Sequence, residues 1–148
     1  MRIFVDSPLW LAMACPSDSS RHAALEALAR LGDAELVTTA DVLVEVLAAV
    51  AKFSTAVRGA AAAMVGKILE SETVAVVPQS HESFLSGLAL LEERLDKGYN
   101  LTDCISMRTM RDMEIAKVLT FDDRFRREGY TVLMNRGRNC PAAPCWPS

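Results

Sequence analysis

Four acidic side chains occupy positions where a carboxylate is either useful or hard to accommodate: Asp6, Glu45, Asp103 and Asp122. Asp6 follows the apolar run Ile3-Phe4-Val5, and Asp122 follows Val118-Leu119-Thr120-Phe121. Both runs read as short buried strands. In an open α/β sheet, ligands gather beyond the carboxyl ends of the strands. If these two strands are neighbours, both carboxylates face one crevice. Either aspartate taken alone has a plainer reading, as the cap of a following helix.

Glu45 is harder to explain away. It is the one acid in Val42-Leu43-Val44-Glu45-Val46-Leu47-Ala48-Ala49-Val50, and a carboxylate buried among such neighbours is unfavourable unless paired or metal-bound. The alternative is a Glu45 that points outward into water or pairs with Lys52. Asp103 opens Leu101-Thr102-Asp103-Cys104-Ile105-Ser106, where the helix dipole alone favours a first-turn acid. Together the four suit hard divalent cations, which prefer oxygen donors. Two such ions a few ångströms apart would activate a water and stabilise the leaving oxygen of a phosphodiester.

The elements that must bring these acids together follow from pattern. Strands are predicted at 3–5, 35–38, 74–77, 118–121 and 131–134. Helices are predicted at 9–14, 21–31, 42–53, 56–69, 80–97 and 101–113, with a helical turn at 122–127. Pro8 suits the first turn of its helix, Ser19 or Ser20 the start of the next, and Gly32 its end. Asp41 reads as the cap of the helix that carries Glu45, and the apolar composition there predicts burial on most sides. Phe84, Leu88, Leu91 and Leu95 share a face at helical spacing, and Gly98-Tyr99-Asn100 breaks the helix. Short apolar strands alternating with helices predict a parallel sheet of about five strands covered on both faces. With 148 residues there is room for one such domain, at 1–134, followed by an irregular tail at 135–148.

The four acid-bearing segments also resemble the signature segments of PIN-domain proteins. They are Phe4-Val5-Asp6-Ser7, Asp41-Val42-Leu43-Val44-Glu45-Val46-Leu47, Leu101-Thr102-Asp103-Cys104-Ile105-Ser106-Met107 and Leu119-Thr120-Phe121-Asp122-Asp123-Arg124-Phe125. The nearest type is the VapC-like toxin ribonuclease of bacterial toxin–antitoxin pairs. That resemblance implies a five-stranded parallel sheet in the order 3-2-1-4-5, with strands 1 and 4 side by side. It implies Mg²⁺ or Mn²⁺ held by Asp6, Glu45, Asp103 and usually Asp122, cleaving RNA. It also implies a protein antitoxin and a homodimer, for which the apolar helices around 42–69 would offer a surface. Ser7 and Thr102 match positions whose hydroxyl groups support such a site. Two departures stand out: Pro8 replaces an aliphatic residue, and Asp123 adds a fifth acid beside Asp122, of which Asp122 is the favoured ligand.

Net charge and the remaining motifs narrow the alternatives. A net charge of −3 lacks the basic excess usual in nucleic-acid binders, yet four clustered carboxylates would account for it and bound ions would offset them. Arg108 and Arg124 lie beside the two strongest acid motifs, where contacts to RNA phosphates would help, although ordinary surface charge explains them equally well. Gly66-Lys67 fails as a phosphate loop because Ala61 and Ile68 stand where Gly and Ser or Thr are needed. His22 and His81 sit in polar helical contexts and read as solvated. The four cysteines are unevenly spread and read as free thiols, with no further metal ligands near Cys140 and Cys145. No apolar stretch is long enough for a membrane span and no signal peptide opens the chain, so a cytoplasmic protein is expected. Two other functions compete with the nuclease. One is a catalytically silent PIN fold acting as an RNA-binding or assembly module, against which the complete set of acids argues. The other is a phosphoryl-transfer domain with an aspartyl nucleophile, which would want a lysine after a strand end, and none is there.

Overall fold

The computed structural model describes residues 1–134, and the expected tail, with Cys140 and Cys145, lies outside the described residues. Five strands form one sheet: β1 Arg2–Val5, β2 Glu35–Thr39, β3 Val74–Val77, β4 Lys117–Leu119 and β5 Thr131–Val132. Their order is β3-β2-β1-β4-β5, and every pairing is parallel. The central strand is apolar along its inner length, with Ile3, Phe4 and Val5 fully buried, because helices cover both faces of the sheet.

The pairing of β1 with β4 matters most for function. Phe4 lies opposite Val118 and Val5 opposite Leu119, and the Asp6 N–H extends the ladder by donating to the Leu119 carbonyl at 3.2 Å. The chain leaves β1 with β2 on one side and β4 on the other, so the carboxyl ends of β1 and β4 form the crevice of the topological switch point. Around it stand α1 Ser7–Ala14, α3 Ala40–Ala49, α6 Leu101–Asp112 and the short α7 Asp123–Arg127. The other helices are α2 Arg21–Ala29, α4 Thr55–Glu70 and α5 His81–Glu93. Among the described residues no helix is long and apolar enough to cross a membrane.

Several boundaries differ from the sequence reading, each for a local reason. Thr39, not Asp41, caps α3: it completes β2 in extended conformation and its hydroxyl accepts the Val42 N–H at 3.1 Å. Strand and helix therefore meet directly, and Asp41, already inside the helix, accepts a hydrogen bond from Gln79 at 3.2 Å. α3 ends at Ala49 rather than near Phe53, and it is less enclosed than its composition predicts, since Val44 is 54% exposed. β4 stops at Leu119, two residues early, which frees Thr120 to turn toward Asp6.

The apolar face of α5 is also rotated from the predicted one. Phe84 is 44% and Leu95 76% exposed, while Gly87 and Leu90 are buried. The cause is a close approach: a Cβ built on Gly87 would lie 2.5 Å from Ile105 Cγ1 and 3.2 Å from the Ile105 backbone nitrogen on α6. A helix packs through its smallest residue when that lets the two axes draw together, whatever larger side chains lie to either side. Residues Leu95–Lys97 form a separate 3-10 turn, closed by Gly98 at φ 69°.

Gly87 and Gly66 supply a matched test. Gly87→Ala is expected to destabilise the fold by about 1–3 kcal/mol through overpacking. Gly66→Ala on α4, with nothing within 4 Å of the added methyl, is expected to be neutral or to stabilise by up to about 1 kcal/mol through helix propensity. Chemical denaturation monitored by circular dichroism measures both. Identical unfolding midpoints for the two variants would contradict the close α5–α6 contact.

Candidate active site

Asp6 directly follows β1 and is almost fully buried. It stands at the N-cap position of α1, yet its side chain makes no cap hydrogen bond there. Instead Asp6 Oδ2 accepts the Thr120 hydroxyl at 3.0 Å, and Thr120 Oγ1 in turn accepts the Asp122 N–H at 3.2 Å. One fully buried threonine thus ties the end of β1 to the turn after β4.

Glu45 reaches the same crevice from α3, between the fully buried Val42 and Val46. Its Oε1 accepts the Asn100 side-chain amide at 3.3 Å, and the Ser7 side chain also favours its charged form. Its Oε2 is buried with no hydrogen-bond partner. Lys52 makes no ion pair with Glu45 among the described residues.

Asp103 enters from α6 as the third residue of a reciprocal cap. Asn100 Oδ1 accepts the Asp103 N–H at 2.8 Å, and Asp103 Oδ2 accepts the Asn100 N–H at 3.0 Å. Asp103 is therefore both a helix-start acid and a member of the cluster, since its Oδ2 accepts from the cap and from Arg124 together. Asp122 shares this double role: its Oδ1 accepts the Arg124 N–H at 2.9 Å and so caps α7. The Arg124 guanidinium closes the group, donating to Asp103 Oδ2 at 2.7 Å with its Nε 3.3 Å from Asp122 Oδ2.

The acids feel one another electrostatically. Burial pushes Asp6 up to about 7, helped by the charges of Asp103 and then Glu45, while the Ser7 N–H and the Thr120 hydroxyl pull it back. Burial, then the Asp103 charge, raises Glu45. Burial also raises Asp103, against the hydrogen bonds from Asn100 and Arg124. Such mutual displacement is what crowded carboxylates in low dielectric produce, and it marks a candidate functional site.

No three acids among the described residues are arranged as a ready-made ring for a metal ion. The donor set nevertheless fits a hard divalent cation: the crowded groups are carboxylates, and the buried Glu45 Oε2 makes no hydrogen bond. Of the supporting residues expected from sequence, Ser7 acts on Glu45, whereas Thr102 makes no hydrogen bond to the four acids among the described residues. Arg108 turns toward α5, with its Nε donating to the Ser86 carbonyl at 3.4 Å and its guanidinium 3.8 Å from Glu93. Asp123 is exposed and pairs with Arg126, leaving Asp122 as the acid on the crevice side. Asn100 and Thr120 are absent from the sequence reading of the site. The Asn-x-x-Asp spacing of a reciprocal cap signals Asn100, but nothing local distinguishes Thr120 from an ordinary strand threonine.

This fold, with its acids gathered where β1 and β4 end, belongs to a defined class. The PIN domain family matches residues 3–129, and the chain belongs to that family. Among solved structures it is similar to Mycobacterium tuberculosis VapC20, a toxin that cleaves the sarcin–ricin loop, with a TM-score of 0.80 and 23% identity. The match covers 89% of this chain and 98% of that one, and at this identity it speaks to the fold. No curated protein sequence matches this chain.

The acid cluster has a consequence for stability. A carboxyl whose native pKa is raised favours folding while it stays protonated, and that advantage is lost as pH climbs through the native value. For Asp6 the window runs from about 4 to about 7, and every tenfold difference in proton affinity between native and unfolded chain corresponds to about 1.4 kcal/mol. In EDTA, the melting temperature is expected to fall as pH rises from 5 to 8, and Asp6→Asn is expected to flatten that fall. A wild-type melting temperature that rises or stays level across the range would contradict the placement of Asp6.

Proposed function

We propose that this chain is a metal-dependent endoribonuclease of the VapC-like kind, hydrolysing RNA phosphodiester bonds as the toxin of a toxin–antitoxin pair. The observation that carries this reading is the group formed by the buried Asp6 and Asp103 and the half-buried Glu45: burial and then the Asp103 charge raise Asp6 and Glu45, and Glu45 Oε2 makes no hydrogen bond. Such a group at the switch point of a PIN fold calls for cations. The likeness to VapC20, itself a toxin acting on RNA, supports the substrate class.

Asp6, Glu45, Asp103 and Asp122 would hold Mg²⁺ or Mn²⁺. When bound, such an ion lowers the pKa of a water and neutralises charge on the phosphate undergoing attack. The chain's own work is preorganisation. Thr120 fixes the Asp6 carboxylate, and Asn100 holds Glu45 and Asp103 at once, so the rotamers are set before substrate arrives. Asp6 and Glu45 are anchored on β1 and α3, rigid elements packed into one core. The exposed Val44 and Leu47 on α3 and Leu69 on α4 support a protein partner there, an antitoxin or a second copy.

Purified protein incubated with a stem–loop of the sarcin–ricin type, and with an unstructured RNA, tests this directly. Cleavage is expected with Mg²⁺ or Mn²⁺ and not with excess EDTA. Asp6→Asn and Asp103→Asn are expected to lower the rate on the order of 100-fold or more, and Asn100→Ala by roughly 10- to 100-fold. Undiminished cleavage in EDTA, or in Asp103→Asn, would remove the mechanism.

A further inference from the structure

Arg124 is the only side chain among the described residues that forms an ion pair with any of the four acids. Its guanidinium touches Asp103 Oδ2 and Asp122 Oδ2, and its charge is also felt by Asp6 and Glu45. A single positive charge thus serves a cluster of several potential negative ones. The Asp103 side chain it meets is nearly buried, whereas the Arg124 side chain is 37% exposed, at the mouth of the crevice.

A divalent cation and this guanidinium compete most directly at Asp122, whose Oδ1 caps α7 and whose Oδ2 faces Arg124, whereas at Asp103 the guanidinium shares Oδ2 with the helix cap. Cations a few ångströms apart also repel strongly where water is excluded. The guanidinium has somewhere to go. Beside it lies an open cavity of about 420 Å³ lined by Pro8, Phe121, Asp122, Asp123, Arg124 and Arg127. Arg127 there is exposed and makes no ion pair among the described residues, while Asp123 is already taken by Arg126. With Arg124 turned outward, two guanidinium groups would line one polar recess next to the acids, a suitable seat for a phosphate.

We infer that Arg124 is an exchangeable counter-cation: it holds the oxygens of Asp103 and Asp122 in the metal-free protein, yields them to a divalent ion, and then joins Arg127 in gripping an RNA phosphate next to the cleaved bond. This rests on the metal-dependent nuclease reading. Exchange makes metal and RNA binding mutually supportive, since the ion that displaces Arg124 also makes it available to substrate. It also makes the metal-free protein less of an acid trap, because the cluster carries its own cation until a divalent ion arrives.

The test is titration of Mn²⁺ alone into the full-length, metal-free protein by calorimetry, for wild type, Arg124→Gln, Arg124→Lys and Asp103→Asn. Arg124→Gln is expected to bind Mn²⁺ at least fivefold more tightly than wild type, with Arg124→Lys between them and Asp103→Asn much weaker. A second measurement uses a 2′-O-methyl RNA oligonucleotide that resists cleavage. Mn²⁺ is expected to tighten its binding to wild type severalfold more than its binding to Arg124→Gln, and Arg127→Gln is expected to weaken binding whether or not metal is present. Equal or weaker Mn²⁺ binding by Arg124→Gln, with Asp103→Asn still impaired, would overturn the exchange and make Arg124 a residue that merely positions Asp103. If wild type and Asp103→Asn bind Mn²⁺ alike, the metal-dependent nuclease reading fails, and the exchange with it.

Discussion

Like charges confined at the end of a buried strand are the constraint on which the rest of this site depends. β1 is the middle of the sheet and fully covered, so a carboxylate placed directly after it cannot reach bulk water. Glu45 and Asp103 then arrive from α3 and α6, and beyond burial itself the Asp103 charge makes both Asp6 and Glu45 harder to ionise. A fold built for stability alone would put apolar or neutral side chains there. Retaining acids instead concentrates negative potential at the switch-point crevice, the electrostatic condition that a cation-binding site requires.

The local devices that hold the acids are ordinary helix-start chemistry used twice. Asn100 caps α6 with its carbonyl oxygen and restrains Glu45 with its amide, so one side chain sets the relation between two elements distant in sequence. Asp122 caps α7 with one oxygen and meets Arg124 with the other. Tyr99 adds a third tie: its hydroxyl donates to Glu128 at 3.0 Å, and Glu128 also pairs with Arg94, which links the start of α6 to the end of α7. Through these bonds the segment 94–103 and the segment 120–128 are held to one another.

Capping and ligation are compatible because a carboxylate has two oxygens and a helix start needs only one. The cap roles of Asp103 and Asp122 are therefore compatible with a place in the proposed site. Asp6 is different: at a cap position it leaves the cap unmade and spends its oxygen on Thr120, a sign that its placement answers to the site and not to α1.

The alternation of apolar runs with helical spacings is readable directly from the residues, and with it the α/β class, the strand count and the four acids proposed for the site. These are local properties: a strand between helices must be apolar on both faces, and an acid inside such a run has few harmless explanations. Strand order follows from family likeness, and the sheet bears it out. What tertiary structure alone decided is which polar groups meet. Thr120 finds Asp6 across 114 residues, Asn100 finds Glu45 across 55, and the part-exposed Arg124 settles on Asp103. The same holds for α5, where the smallness of Gly87 against Ile105 overrode the larger apolar side chains in choosing the buried face. Periodicity along a chain fixes the direction of each side chain within its own element, but the distance between elements is set by close packing of the whole core, and no single segment contains that information.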